Sequence, residues 1–183
     1  MTTEQKNARR RVTPFRIIVS SILLLIVMVF WALLVGGQIQ AQEVISSSMA
    51  PTVTKGDRIL VLSKDGTDEV KRGEIVMVAP AKDYELPLLK RVLGVPGDTI
   101  SWIDHAIFVN EQPTRERFEE KGIPNAVAFN SLTLREDEYF VVGDNYGNSF
   151  DSTSFGAVTR DRILGRAVYR YAPFSKMGWL TDQ

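Results

Sequence analysis

The chain contains no cysteine and a single histidine, His105, among 183 residues. The first absence excludes disulfides, thiolate nucleophiles and thiolate metal sites, and it leaves cysteine usage silent about redox compartment. The second leaves a Ser-His-Asp hydrolase one candidate imidazole and rules out a zinc site built mainly from histidines. Net charge is also missing, since 22 Lys and Arg balance 22 Asp and Glu. That balance is not local. Lys6, Arg9, Arg10, Arg11 and Arg16 face only Glu4 in the first 16 residues, which leaves 17 basic against 21 acidic residues in the remainder. No basic stripe is left there for nucleic acid, and no metal or cofactor is expected.

What the sequence does have is one long apolar run. Ile17 to Val35 is 19 residues without a charge, broken only by Ser20 and Ser21. As a helix it spans about 28 Å, enough to cross a hydrocarbon core. The basic cluster before it, with no charge after it until Glu43, predicts a cytoplasmic N-terminus and a translocated remainder. The run exceeds the 7 to 15 residues usual in a cleaved secretory signal, and Gly36 to Gln42 lacks a clean small-x-small cleavage site. An uncleaved anchor is the better reading.

Beyond Gln42 the helical period gives way to short β-rich runs separated by turn signals, which predicts an antiparallel sheet domain. Arg58–Leu62, Glu74–Val78 and Leu88–Val95 each read as a strand. Thr99–Ile103 and Ala106–Val109 flank Asp104-His105 as a hairpin, which makes His105 a structural residue. Asn110 to Pro113 reads as a turn and 114–130 as a polar excursion. Strands resume at Leu132–Leu134, Tyr139–Val142 and Ile163–Tyr171, before an irregular end marked by Pro173 and Gly178.

With imidazole nearly absent, a serine nucleophile needs a lysine as its base, and that lysine must be neutral. At a pKa of about 10.4, under about 1% is neutral at pH 8, so the site must desolvate it. Most lysines lie beside turns or other charges. In an extended Leu88-Leu89-Lys90-Arg91-Val92-Leu93, Lys90 shares a face with Leu88 and Val92. It is either snorkelling at a sheet rim or held neutral inside. Ser48, in Ser46-Ser47-Ser48-Met49-Ala50-Pro51-Thr52, sits before a proline that restricts the turn, but a polar connector would look the same. Gly143 to Ser152 (GDNYGNSFDS) follows an apolar strand and reads as an Asx-rich turn. Its oxygen ligands do not follow the spacing of a calcium loop.

Together these segments resemble the type I signal peptidases, or leader peptidases, membrane-bound serine proteases with a Ser-Lys dyad. The blocks that carry the resemblance are Ser46–Thr52, Lys90–Asp98 (KRVLGVPGD), and Gly143-Asp144-Asn145 continuing through Asn148-Ser149-Phe150-Asp151-Ser152 to Gly156. It extends over the anchor and about residues 43–172. The resemblance implies a mainly β fold of the signal-peptidase/SOS-repressor protease type behind a single transmembrane helix. Residues 1–16 would form a cytoplasmic basic tail, 17–37 the membrane helix, and 38–183 an extracytoplasmic β-rich catalytic domain. It further implies Ser48 as nucleophile, Lys90 as general base, and Ser46 with the Ser48 N–H as oxyanion donors. Ser149 would orient the lysine, with Asp144, Asn145 and Asp151 as structural support. Val44, Met49, Val53, Leu88 and Leu89 would line shallow pockets. Some family members carry Arg-Asp where this chain has Tyr146-Gly147, and an Arg at the position of Thr153. An ion pair there would be lost or rebuilt, with Arg160, Arg162 or Arg166 as substitutes.

The implied activity is removal of N-terminal signal peptides from exported preproteins at small-x-small sites. The implied partners are those signal peptides and the lipid bilayer, with the export translocon as a further candidate and no nucleic acid. Ser48 follows Val35 by thirteen residues, at most about 45 Å of extended chain, which is compatible with a site near the outer membrane surface. A Ser-Lys autoprotease of the SOS-repressor type would need a DNA-binding module where this chain has an apolar span. The remaining alternative is a non-catalytic membrane-anchored β domain that binds exported proteins.

Overall fold

The computed structural model describes residues 14–63, 69–80, 85–103, 106–117 and 131–180. The chain divides into two compact units, one ending at Gly37 and the other beginning at Gln38. The first holds helix α1, Pro14–Val35. Proline is well placed at its start, where its missing N–H costs nothing, and two glycines follow its end. Its apolar stretch is wholly unburied within the protein, unlike the core helix of a soluble domain, and is long and apolar enough to cross a membrane.

The second unit is antiparallel β structure in two sheets. In chain order its strands are β1 (Ile39–Glu43), β2 (Arg58–Ser63), β3 (Ile75–Val78), β4 (Leu88–Gly94), β5 (Thr99–Ile103) and β6 (Ala106–Val109). They continue with β7 (Gln112–Arg117), β8 (Ser131–Thr133), β9 (Glu138–Val142), β10 (Val158–Thr159), β11 (Ile163–Ala172) and β12 (Gly178–Trp179). The larger sheet runs β1-β2-β11-β3-β4-β9-β10 with β12 added on β11; the smaller runs β7-β6-β5-β8. A four-residue helix, α2 (Ser152–Phe155), is capped by the Asp151 side chain.

The central strand β3 (IVMV) is buried at every position. Ile75 and Met77 join a cluster with Val61 and Ala167, while Val76 and Val78 join another with Val92, Val141 and Ile163. Both faces of the sheet are therefore covered, which is why this strand reads as a continuous apolar run instead of an alternating one. A third cluster joins the sheets, packing Ile100, Ile107 and Val109 against Phe140 and Val142.

Four strands depart from the sequence reading: β1, β7, and the two-residue β10 and β12, which form by pairing with β9 and β11. β1 (IQAQE) has little apolar content and forms because it pairs with β2, Ile39 opposite Leu62 through Glu43 opposite Arg58. β7 occupies residues expected as turn and excursion. The turn is shorter than expected because Asn110 and Glu111 both take positive φ, 52° and 66°, the signature of a two-residue hairpin loop. The strand then begins at Gln112. The Asp104-His105 turn and most of the expected 114–130 excursion lie outside the described residues.

Candidate active site

The site is assembled from three pieces: the loop between β1 and β2, the middle of β4, and the loop after β9. In β4 burial alternates, so that Lys90, Val92 and Gly94 are inside while Leu89, Arg91 and Leu93 are half-buried. Lys90 lies opposite Val76 in the β3 register and is only 2% exposed. Its Nζ lies 2.9 Å from the Oγ of Ser48, which is itself 7% exposed. Burial pushes the Lys90 pKa down from 10.5 to about 8, against the opposing pull of Asp151 and Asp144. At pH 8 about half of such a lysine is neutral, compared with under about 1% in water. The Ser46 hydroxyl is 3.2 Å from that of Ser48.

The loop bearing Ser48 is fixed at both ends. Asn145 donates from its backbone N–H to the Ser48 carbonyl (2.9 Å) and from its side chain to the Ser47 carbonyl (3.1 Å). Asn148 donates to the Ser47 hydroxyl. At the far end Arg170 donates to the Thr52 carbonyl and to Asp57. Burial would raise the Asp57 pKa, but the Thr54 N–H and Arg170 outweigh it and hold the carboxyl below its usual range. Gly143 is required by close approach, because a Cβ there would collide with the Ser149 hydroxyl and the Ser48 carbonyl.

Arg91 points to the opposite face from Lys90 and forms a two-bond pair with Asp144, at 2.8 and 2.7 Å, as well as donating to the Gly73 carbonyl. Asp151 accepts from the Gly143 N–H (2.9 Å), the Thr153 N–H (3.1 Å) and the Thr153 hydroxyl (2.7 Å). The substitutes expected for a missing arginine are engaged elsewhere in two cases, Arg162 with the Ala79 and Pro80 carbonyls and Arg166 with Glu74. Thr153 itself takes over by donating a hydroxyl.

The remaining candidates divide. An open cleft of about 520 Å³ contains Ser46, Ser48, Leu88, Lys90 and Ser149. A smaller one of about 180 Å³ contains Ser46 with Val44, Leu86, Pro87 and Leu89. Met49 and Val53 line neither; they are 1% and 0% exposed and belong to the core. Among the described residues Ser149 Oγ is buried without a hydrogen-bond partner and makes no bond to Lys90. Arg91, Asn148 and Arg170 were missed by sequence reasoning. For Arg91 a signal existed, since an arginine facing the same way as Leu89 and Leu93 in a buried strand needs a carboxylate.

Comparison with known proteins adds the following likenesses. The family model described as "Signal peptidase, peptidase S26" matches residues 15–172. The "Probable signal peptidase I-2" of Synechocystis sp. is 35% identical over 150 residues, 78% of this chain and 67% of that protein. The "Signal peptidase I T" of Bacillus subtilis is 31% identical over 141 residues, 72% of this chain and 72% of that protein. A crystal structure of a signal peptidase I from Enterococcus faecalis V583 is 26% identical, covering 54% of this chain and 97% of that one with a TM-score of 0.43.

Proposed function

The chain belongs to the signal peptidase family, peptidase S26, and from that membership and the contact between Ser48 and Lys90 we propose a membrane-anchored serine endopeptidase that removes signal peptides by a Ser-Lys mechanism. The single observation that carries the mechanism is the 2.9 Å approach of a buried amine to a serine hydroxyl. Neutral Lys90 takes the Ser48 proton as Oγ attacks the scissile carbonyl. The tetrahedral intermediate collapses with cleavage of the C–N bond, and the proton on Lys90 passes to the leaving amine. Water, deprotonated by Lys90, then releases the acyl chain and regenerates Ser48. The Ser46 hydroxyl and the Ser48 N–H face the developing oxyanion, each donor contributing about 3 kcal/mol.

The two clefts meet at Ser46. Val44 and Leu89 in the smaller and Leu88 in the larger suit small side chains at the third and first positions before the cut, where larger ones clash. The basic segment ahead of α1 favours a cytoplasmic N-terminus, with the β unit on the outer side. The bilayer is then a permanent partner, and the export translocon a neighbour that delivers substrate. Confining enzyme and tethered precursor to one surface raises their effective concentration.

The test is purified full-length protein with a labelled precursor, wild type against Ser48→Ala. Cleavage by the wild type at a small-x-small site and none by the variant is expected. Equal cleavage by both would overturn the assignment of Ser48.

A further inference from the structure

The larger cleft holds a charged group for which the acyl-transfer mechanism has no use. Among the described residues lining it, the charged side chains are Lys90 and Lys55, and there is no carboxylate. Lys90 is buried against Ser48. Lys55 is exposed and has no ion pair among the described residues. Among the described residues the nearest carboxylates in sequence are taken, Asp57 by Arg170 and the Thr54 N–H, and Glu43 by Arg58.

The turn that carries Lys55 is not a loose loop. Gly56 N–H donates to the Val44 carbonyl (2.8 Å) and Val44 N–H to the Asp57 carbonyl (2.9 Å). The φ of +89° at Gly56 is one that glycine adopts without strain. Lys55 is thereby pinned beside the segment leading to Ser46 and Ser48. Tuning the base is not its task, because the charges that act on Lys90 are Asp151 and Asp144. What is left is the substrate: a cleft whose exposed charge is cationic concentrates anionic groups.

We propose that Lys55 makes this cleft acid-selective, pairing with an Asp or Glu side chain of the precursor close to the scissile bond. The proposal rests on the peptidase reading given above. Because Lys55 is solvated, the selectivity is modest, about threefold in kcat/KM, the scale of an exposed ion pair. Salt screens it.

The experiment uses the full-length protein in zwitterionic phosphatidylcholine vesicles and, in a parallel arm, in vesicles of anionic phosphatidylglycerol. A panel of precursor peptides shares one cleavage site and carries Asp, Asn or Lys at each flanking position outside the two small-residue positions. At one or more positions Asp is expected to exceed Asn by about threefold at low salt. Lys55→Gln brings that ratio to unity, and Lys55→Glu turns the preference toward Lys. A ratio identical in all three proteins overturns the acid-selective cleft and leaves the peptidase reading standing. Failure of the wild type to cleave any peptide overturns both. A loss that is uniform across the panel and confined to vesicles of anionic lipid assigns Lys55 to headgroups and likewise overturns the proposal.

Discussion

Lys90 and Asp98 sit in one strand and the turn that ends it, and both are nearly buried, at 2% and 6% exposure. Their surroundings are opposite. Asp98 accepts two bonds from Arg72 (2.9 and 2.7 Å), one from the Asn110 amide (2.7 Å) and one from the Val95 N–H (2.7 Å). Burial alone would raise its pKa, but those donors overcome it and hold the carboxyl below its usual value. Among the described residues the Lys90 amine has one hydrogen-bond partner, the Ser48 hydroxyl, and burial outweighs the pull of Asp151 and Asp144. The difference teaches that burial does not by itself mark a reactive group. A buried charge whose partners outweigh its desolvation ties loops together, whereas one whose desolvation outweighs its partners is ready to lose its proton.

The strongest way to break this comparison is Lys90→Met. Cleavage should fall by more than about 10⁴-fold, as when one member of a coupled catalytic unit is removed. Stability should move the other way. The folded-state pKa of about 8 lies below the unfolded 10.5, so between these values the unfolded chain binds more protons and stability rises with pH. Below pH 8 the wild type bears the full penalty, roughly 3 kcal/mol. The methionine variant escapes it and should be the more stable protein at pH 7, with the gap closing toward pH 10.5. Denaturation at both pH values checks this, and a variant that is weaker at pH 7 would mean that Lys90 is not desolvated.

Asp98→Ala is the complementary case and a smaller one. It should cost about 1–3 kcal/mol, the loss expected when buried donors are left unpaired, and leave the pH dependence of cleavage where it is. The sign in acid also differs from that of Lys90. Because the folded carboxyl is held below its ordinary value of 3.8, its contribution is complete above that value and is lost as pH falls through the lower, folded-state pKa. Acid denaturation of wild type and variant should converge there. A displaced pH–rate profile in Asp98→Ala would erase the distinction between the two charges.

Much of this contrast was legible in the chain. The period of two in Leu88 to Leu93 puts Lys90 on one face with Leu88 and Val92 but leaves open a rim or an interior position; the structure closes that choice, because a strand covered on both faces leaves a central side chain no route to water. The apolar run at Ile17 announced α1 because length and composition alone set that element. What could not be read were partners brought in from a distance. Thr153 appeared as the loss of a cation, yet its hydroxyl reaches Asp151 through the turn at the start of α2. Arg170 grips Thr52 and Asp57 from the other end of the chain, a contact created by pairing β11 with β2. The family resemblance implies Met49 and Val53 as pocket residues near Ser48. The turn from Met49 to Val53, closed by the Val53 N–H to the Met49 carbonyl, instead directs both into the core. Sequence proximity to a nucleophile does not fix which side of a turn faces solvent.

The finest test concerns the two carboxylates that act on Lys90. Asp144 is paired with the Arg91 guanidinium, which cancels part of its field. Asp151 is held by the Gly143 N–H, the Thr153 N–H and the Thr153 hydroxyl, donors that orient a carboxylate without neutralising it. Both raise the Lys90 pKa against the larger effect of burial. Asp151→Asn keeps much of the shape of that cradle and removes the charge, so Lys90 should release its proton more readily. The rising limb of kcat/KM with pH should then move to lower pH than in the wild type. The shift is expected to be smaller than the one burial produces, and it is separable from damage to the loop, which lowers the plateau without moving the limb. A limb that stays in place while the plateau falls would make Asp151 a scaffold alone and leave burial as the determinant of Lys90 acidity.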